Sequence, residues 1–363
     1  MMRLLYGVQG TGNGHLTRAR AMLPALRDCG FEVDVLVSGR DRLALFGTES
    51  FGDFQWRQGM SFVMEKGHIA PLKTLVNLQL KRFFRDVSAL SLAQYDLVVT
   101  DFEPVTAWAA MRQRVRCVGL GHQYAFRHRI PTKGINIPSR LTMRYFAPVD
   151  QPIGLHWHHF GEPILPPILE AFSAPVEVRD NHFLVYLPFE DTADLLALLK
   201  PFSQCHFDLY AGVSQREQHG NVTVHPFSRE GFAQHLLHCE GVITGAGFEL
   251  PSEAIVLGKK LLVRPLQAQL EQESNAKALQ LLQRADVMHR LEPEAVARLL
   301  AQPASTPVVY PNVAQKVARW LSAASPQPVA ELARECWQQT QGIELMAKHL
   351  PAPQTIIAAA QRG

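Results

Sequence analysis

The stretch LLYGVQGTGNGHLTRAR, residues 4–20, runs from an apolar segment through a glycine-rich loop into a helix. Leu4 to Val8 has the length and composition of a buried first strand. The loop holds Gly10, Gly12 and Gly14, and His15 opens a helix whose apolar face is Leu16, Ala19, Met22, Leu23 and Leu26. Glycines at such a turn let the backbone come close to a ligand. The helix N-terminus behind them offers unpaired N–H groups and a positive dipole end, which suits an anion. A histidine at the mouth of this loop can take a proton near neutral pH. Taken alone, the stretch is also compatible with a structural strand-to-helix turn and an incidental histidine.

Two familiar phosphate-binding patterns do not fit. The glycines run G-x-G-x-G rather than G-x-G-x-x-G, and the second strand (about Glu32 to Val37) ends in Ser38-Gly39-Arg40 without the acid a dinucleotide site needs. No Gly-Lys-Ser/Thr follows the loop, which excludes a P-loop.

Length and composition bound the class. With 363 residues, the chain is long enough for two domains with separate cores. A hydrophobic fraction of 47% and a charged fraction of 19% describe a globular chain. No apolar run reaches the roughly 18–20 residues that span a bilayer. Met-Met-Arg leads straight into a strand without a signal-peptide pattern. Cys29, Cys117, Cys205, Cys239 and Cys336 are scattered and have no C-x-x-C spacing, so reduced thiols and a cytoplasmic location are expected. The net charge of +3 is unevenly spread: residues 1–150 hold 20 Lys and Arg against 12 Asp and Glu. From Pro104 to Val149 there is no acid, but there are Arg112, Arg114, Arg116, Arg127, Arg129, Lys133, Arg140 and Arg144. Such a field draws anionic partners unless acids elsewhere in the fold balance it.

Strand-like runs alternate with helical ones, as in a doubly wound parallel sheet. After the first strand come 32–38, 95–101 and 116–121. A segment between Gly59 and Leu92 combines Leu72, Leu75, Val76, Leu80, Phe83 and Phe84 with Lys73, Lys81, Arg82 and Arg85. A basic helix of this kind either buries its apolar side or lies on an anionic membrane. Proline-rich residues 160–181 read as a linker. Beyond it a second series begins: 182–189, 206–212, 221–227, 241–247 and 260–266. Helices follow from Pro311 to about Gln341, with a Ser-Pro-Gln-Pro break, and PAPQTIIAAAQRG reads as a loosely held tail.

In the second series, GVITGAGFELPSEAIVLGKKLLVRPLQAQLEQESNA (241–276) repeats the theme of a small-residue loop before a helix N-terminus. The helix is expected to begin near Pro251-Ser252, with Glu253 just inside it, where a carboxylate can accept hydrogen bonds from ribose hydroxyls. Glu271 and Gln272 in the next polar loop can hold vicinal sugar hydroxyls in a fork. Each has a plainer alternative: a first-turn acid that complements the helix dipole, and an exposed helix start.

Together, GTGNGH and TGAGFELPSEA…RPLQAQLEQESNA resemble the GT-B nucleotide-sugar glycosyltransferases. The likeness is to the branch that contains the bacterial transferase adding N-acetylglucosamine to the lipid-linked peptidoglycan precursor. Asp101-Phe102-Glu103-Pro104 and His122-Gln123 further resemble the markers of an uncharacterised prokaryotic glycosyltransferase-like family. The resemblance covers roughly residues 3–340 and implies an α/β fold of two Rossmann-like doubly wound domains facing each other across a cleft. The implied division is an acceptor-side domain (1–165), a nucleotide-sugar-binding domain (166–325) and a terminal helix and tail (326–363).

The resemblance also implies roles. His15 becomes the general base; independently of the resemblance, Asp101 at the carboxyl end of a strand, where α/β sheets place functional residues, either orients His15 or binds the acceptor, or merely caps the strand end. Gly12 and Gly14 shape the loop facing the donor diphosphate, and Gly245, Ala246 and Gly247 form the phosphate loop. Glu253 binds the ribose, Phe227 contacts the base, and Glu271 with Gln272 holds the donor sugar. The sequence departs from the family pattern at Pro251, where relatives carry a small or β-branched residue, and at Glu271-Gln272, which align only with a one-residue shift.

The implied reaction is inverting transfer of a sugar from a nucleoside diphosphate, UDP by this reading, to an acceptor sugar or lipid-linked acceptor at or near the inner membrane face. No cofactor, metal or nucleic acid is expected. Two spacings resemble metal ligands without a supporting set: Asp101-Phe102-Glu103, and His156-Trp157-His158-His159 with two histidines on one strand face. Competing functions on the same fold are a nucleotide-sugar 2-epimerase, whose extra acids and arginines cannot be placed by sequence, and a non-catalytic nucleotide-sugar-binding protein.

Overall fold

Leu4, Leu5, Tyr6 and Val8 are fully buried, and they form the central strand of a parallel sheet. The computed structural model describes residues 2–60, 64–65, 68–69, 80–133, 141, 143–170 and 177–343. Its first half contains β1 (Met2–Gln9), α1 (Asn13–Asp28), β2 (Phe31–Ser38) and β3 (Gln55–Arg57). A separate antiparallel pair follows, β4 (Met64–Glu65) with β5 (His68–Ile69). Then come α2 (Leu80–Ala89), β6 (Leu97–Asp101), α3 (Pro104–Gln113), β7 (Cys117–Gly121), the short α4 (His122–Ala125) and β8 (Gln151–Gly154).

The second half contains β9 (His182–Tyr186), α5 (Thr192–Leu199), β10 (His206–Tyr210), β11 (Glu217–His219), β12 (Val222–His225), α6 (Arg229–His238) and β13 (Gly241–Gly245). It continues with α7 (Glu249–Val256), β14 (Lys260–Arg264), α8 (Leu270–Leu281), β15 (Asp286–Val287), α9 (Pro293–Ala301), α10 (Val313–Ser322) and α11 (Val329–Gln338).

The first sheet has the order β3-β2-β1-β6-β7-β8 and the second β11-β12-β10-β9-β13-β14-β15. Apart from β11, which runs antiparallel to β12, the strands of both sheets are parallel. In each, the chain starts in the middle, goes to one edge, then returns and builds outward on the other side. The order therefore reverses between β1 and β6, and between β9 and β13. Such switch points, at the carboxyl ends of the strands, are where open α/β sheets bind ligands. Register brings the ends together: Val8 pairs with Asp101, so the loop after β1 sits beside the end of β6.

Two sequence expectations need correction. His156, Trp157, His158 and His159 follow β8 in a loop, where the Nδ1 atoms of His156, His158 and His159 accept from the backbone N–H groups of Trp157, Phe160 and Gly161. Those bonds tie the rings to local backbone, so no strand face presents two histidines. The proline-rich segment is not loose over 160–170: Ile164, Leu165 and Ile168 are buried with Trp157. In addition, α10 packs on α1, sharing its core with Met22, Leu23 and Leu26. Leu72, Lys73, Leu75, Val76, Arg140 and the tail lie outside the described residues.

Candidate active site

The site grows from the first turn of α1. Gly12 is its N-cap residue and makes no side-chain cap. None of Gly10, Gly12 and Gly14 has a positive φ, so their use is close approach rather than a left-handed turn. Gly14 lies inside the helix, not in the loop. A Cβ there would stand 2.6 Å from Glu249 Cγ at the start of α7, so only glycine lets these two helix ends touch.

His15 and Arg18 share one face of α1 because three residues bring the chain nearly one turn round. His15 Nδ1 lies 2.8 Å from Asp101 Oδ1. Arg18 forks onto the same carboxylate, Nε to Oδ2 at 2.8 Å and Nη2 to Oδ1 at 2.7 Å. Its Nη1 donates to Glu249 Oε1 of the second half. Arg18 is only 2% exposed and Asp101 is fully buried, so ordering this array cost solvation that the bidentate pairing offsets. Asp101 is followed by Phe102 in the left-handed region (φ 54°), a strained backbone of the kind that collects at functional sites.

The two acids on Arg18 respond differently. Burial pushes the Asp101 carboxyl up, but Arg18 and His15 outweigh it and hold it below its usual range. Glu249 has Arg18 alone; burial, reinforced by Asp101 and Glu271, pushes it up to about 7. Its Oε2 is buried without a hydrogen-bond partner among the described residues.

Asp101 and Glu103 do not converge on a metal. Glu103 turns away as the N-cap of α3, accepting from Val105 N at 2.7 Å, Thr106 N at 2.6 Å and Ser38 Oγ at 2.5 Å.

The second half contributes the loop Gly245-Ala246-Gly247. Gly247 has open space where a Cβ would stand, and Ala246 is held by its carbonyl, which accepts from Asn275 Nδ2 at 3.0 Å. The helix after the loop starts at Glu249, earlier than expected, because Pro251 fits inside a first turn whose N–H groups have no intrahelical partner. Glu253 therefore lies one turn along α7. Burial, then repulsion from Glu249 and Glu170, pushes its carboxyl up to about 8 against the pull of Arg20. Gln272 Oε1 accepts from Leu266 N at 3.0 Å, and Glu271 Oε2 accepts from Gln123 Nε2 at 3.2 Å. Phe227 is half exposed and sits edge-on to Tyr186, 6.2 Å between centroids.

Several residues with no role in the sequence reading knit the halves together here. His122 is buried, stacked on Phe248 at 4.1 Å and bonded to Asn275 Oδ1 at 2.7 Å. Trp157 Nε1 donates to Ser252 Oγ at 2.7 Å. Arg18 and Glu249 are the larger omission, since they carry the charge of the site.

The sequence profile described as Glycosyl transferase family 1 matches residues 2–136 and 159–303. The chain belongs to that family. This glycosyltransferase has no match among curated protein sequences. Solved structures share its fold at low identity. MurG of Acinetobacter baumannii superposes with TM-score 0.51 at 15% identity, covering 93% of this chain and all (100%) of its own. SsfS6 of Streptomyces sp. SF2575, complexed with thymidine diphosphate, gives 0.56 at 15%, covering 93% and 100%. LpCGTa in complex with UDP gives 0.57 at 15%, covering 92% and 98%. The glycosyltransferase thus has the two Rossmann-like domains of the GT-B fold.

Proposed function

We propose that this glycosyltransferase moves a sugar from a nucleoside diphosphate, UDP in our reading, to an acceptor hydroxyl with inversion and without a metal. The observation that carries the reading is the buried His15–Asp101–Arg18 array beside the first turn of α7. Asp101, held ionised, accepts from His15 Nδ1–H, which leaves Nε2 as the lone pair that removes the acceptor proton. The hydroxyl then attacks the anomeric carbon from the face opposite the diphosphate. Backbone N–H groups around Gly245–Gly247 and the N-terminus of α7 stabilise the charge growing on the leaving group. With its raised pKa, Glu253 can both donate to and accept from a ribose diol. Glu271 and Gln272 are assigned to the donor sugar and Phe227 to the base, with Gly12 and Gly14 shaping the facing turn. The UDP and thymidine diphosphate bound to two structural neighbours support a nucleotide donor.

The acceptor in this reading is a sugar or lipid-linked sugar reached at the cytoplasmic membrane face. Phe84, Met111 and Tyr145 are half exposed, and Lys81, Arg85, Arg112 and Arg144 lie within three residues of them in sequence, a composition suited to anionic lipid. Among the described residues no helix is long and apolar enough to cross a membrane.

Calorimetric titration with UDP, GDP and dTDP in EDTA tests the donor assignment. UDP is expected to bind, and Glu253→Ala to lose about 0.5–1.5 kcal/mol per lost hydrogen bond, the range for a neutral carboxyl. Unchanged affinity in the variant removes the ribose assignment. A second reading has one observation behind it: Asp101 and Arg18 lie against His15 and Glu249 joins them through Arg18, supplying acids and an arginine suited to nucleotide-sugar 2-epimerisation. Release of a C2 epimer in the absence of acceptor would select it.

A further inference from the structure

A second cluster of ionisable side chains lies in the second half, away from the β9/β13 switch point. Strand β10 points His206, Asp208 and Tyr210 to one face by its two-residue period, β12 adds Thr223 and His225, and α6 closes over them with His235. Three imidazoles surround one carboxylate oxygen. The distance to Asp208 Oδ1 is 2.8 Å from His225 Nε2, 3.4 Å from His206 Nε2 and 3.8 Å from His235 Nε2. The first is a hydrogen bond. The last is too long for one, yet the ring is aimed by Tyr210, whose hydroxyl lies 2.9 Å from His235 Nδ1.

We propose that Asp208, His225 and His235 bind one divalent transition-metal ion of the zinc class, with His206 or water as fourth ligand. The ligand atoms of the three residues all lie within 4.8 Å of one another. A tetrahedral ion with bonds of about 2.0–2.2 Å separates its ligand atoms by roughly 3.3–3.6 Å, between the 2.8 and 3.8 Å of His225 and His235 from Asp208, so small side-chain adjustments complete the site. Two imidazoles and a carboxylate select zinc-like ions over magnesium or calcium, which prefer oxygen. The Tyr210–His235 bond is the outer contact that orients a ligating histidine and leaves Nε2 for the ion. The cluster remains reachable, since the side chains of His206 and His235 are 33% and 28% exposed. The ion has a structural task in this arrangement. It fastens α6 to β10 and β12, the wall on which Tyr210, Phe232, Tyr186 and Phe227 stand ring against ring.

The test uses the full chain, free of any affinity tag and dialysed against EDTA, titrated with Co²⁺ and separately melted with and without Zn²⁺. One equivalent of Co²⁺ with the visible absorption of a tetrahedral ion, displaced by Zn²⁺, and a Zn²⁺-dependent rise in Tm are expected. The double variant His225→Gln/His235→Gln should lose all three, and His182→Gln, beside the cluster, should keep them. If the double variant does not fold, His235→Gln alone should weaken Co²⁺ binding by at least about tenfold, the lower end of what even outer-shell changes cost. No saturable Co²⁺ binding by the wild type overturns the proposal. So does a spectrum that survives in the double variant, or one lost in His182→Gln.

Discussion

The two strand-to-helix turns of the candidate active site meet where Gly14 backs onto Glu249, and they are built by opposite means. The turn after β1 is wired: His15, Arg18 and Asp101 satisfy one another in a nearly dry pocket. The turn after β13 is bare. Gly247 faces open space, and α7, like α1, begins without a side-chain cap. Wiring fixes the position of a proton acceptor before substrate arrives. Bareness leaves helix-end N–H groups for an incoming anion. On the function proposed above, preorganised chemistry and ligand capture fall to different halves, and Arg18, which reaches from one to Glu249 of the other, is the joint.

That contrast can be broken on either side. His15→Ala should lower kcat by roughly 10²–10⁴-fold, the usual contribution of a general base, while UDP affinity by calorimetry stays unchanged. A large loss of nucleotide affinity would place His15 in the donor site instead. Arg18→Met strands Asp101 and Glu249 without their cation. A stability loss of about 3–5 kcal/mol, read from urea midpoints, is expected for breaking a buried ion pair.

The two acids sharpen the comparison through pH. The folded chain raises Glu249 from 4.5 to about 7, so it keeps a proton that the unfolded chain releases. Its stabilising contribution is full below the unfolded value and is lost as pH rises through about 7, a change on the order of 3 kcal/mol. Asp101, held low, works in the reverse sense: its contribution is present above its unfolded pKa and disappears as pH falls through its folded one. Glu249→Gln should therefore make the fall in urea midpoint between about pH 5 and pH 8 shallower, Glu253 keeping its own share, and leave the acid limb. An unchanged neutral limb would remove Glu249 as its source. The smallest effect separates the glycines. Gly14→Ala should cost about 1–3 kcal/mol by overpacking against Glu249, whereas Gly247→Ala should unfold like the wild type and lose nucleotide affinity.

Much of the fold could be read from the chain because buried parallel strands advertise themselves as apolar runs. Strands β3, β8, β11 and β15 could not, being two to four residues long, with Pro152 in β8. The candidate site divides the same way. His15 stands in a glycine loop, a local signal. Arg18 sits on a helix where arginine usually marks the wet face, and its partners Asp101 and Glu249 lie 83 and 231 positions further along. Pairings so distant leave no trace in spacing. The sequence points to a later start for α7 because Pro251 reads as a helix opener at N1, yet a first turn tolerates it two positions later. The histidines around Asp208 are likewise spread over two strands and a helix, and only the pleat and α6 gather them.

The docking of α10 on α1 bears on how the protein is made. Met22, Leu23 and Leu26 emerge early from the ribosome, but Val313, Val317 and Leu321, which share their core, come nearly three hundred residues later. At about 5–20 residues per second, the nascent amino-terminal half waits on the order of tens of seconds with that face uncovered. Its completion therefore comes late in synthesis, and until then the first Rossmann unit is a client for whatever shields apolar surface in the cell.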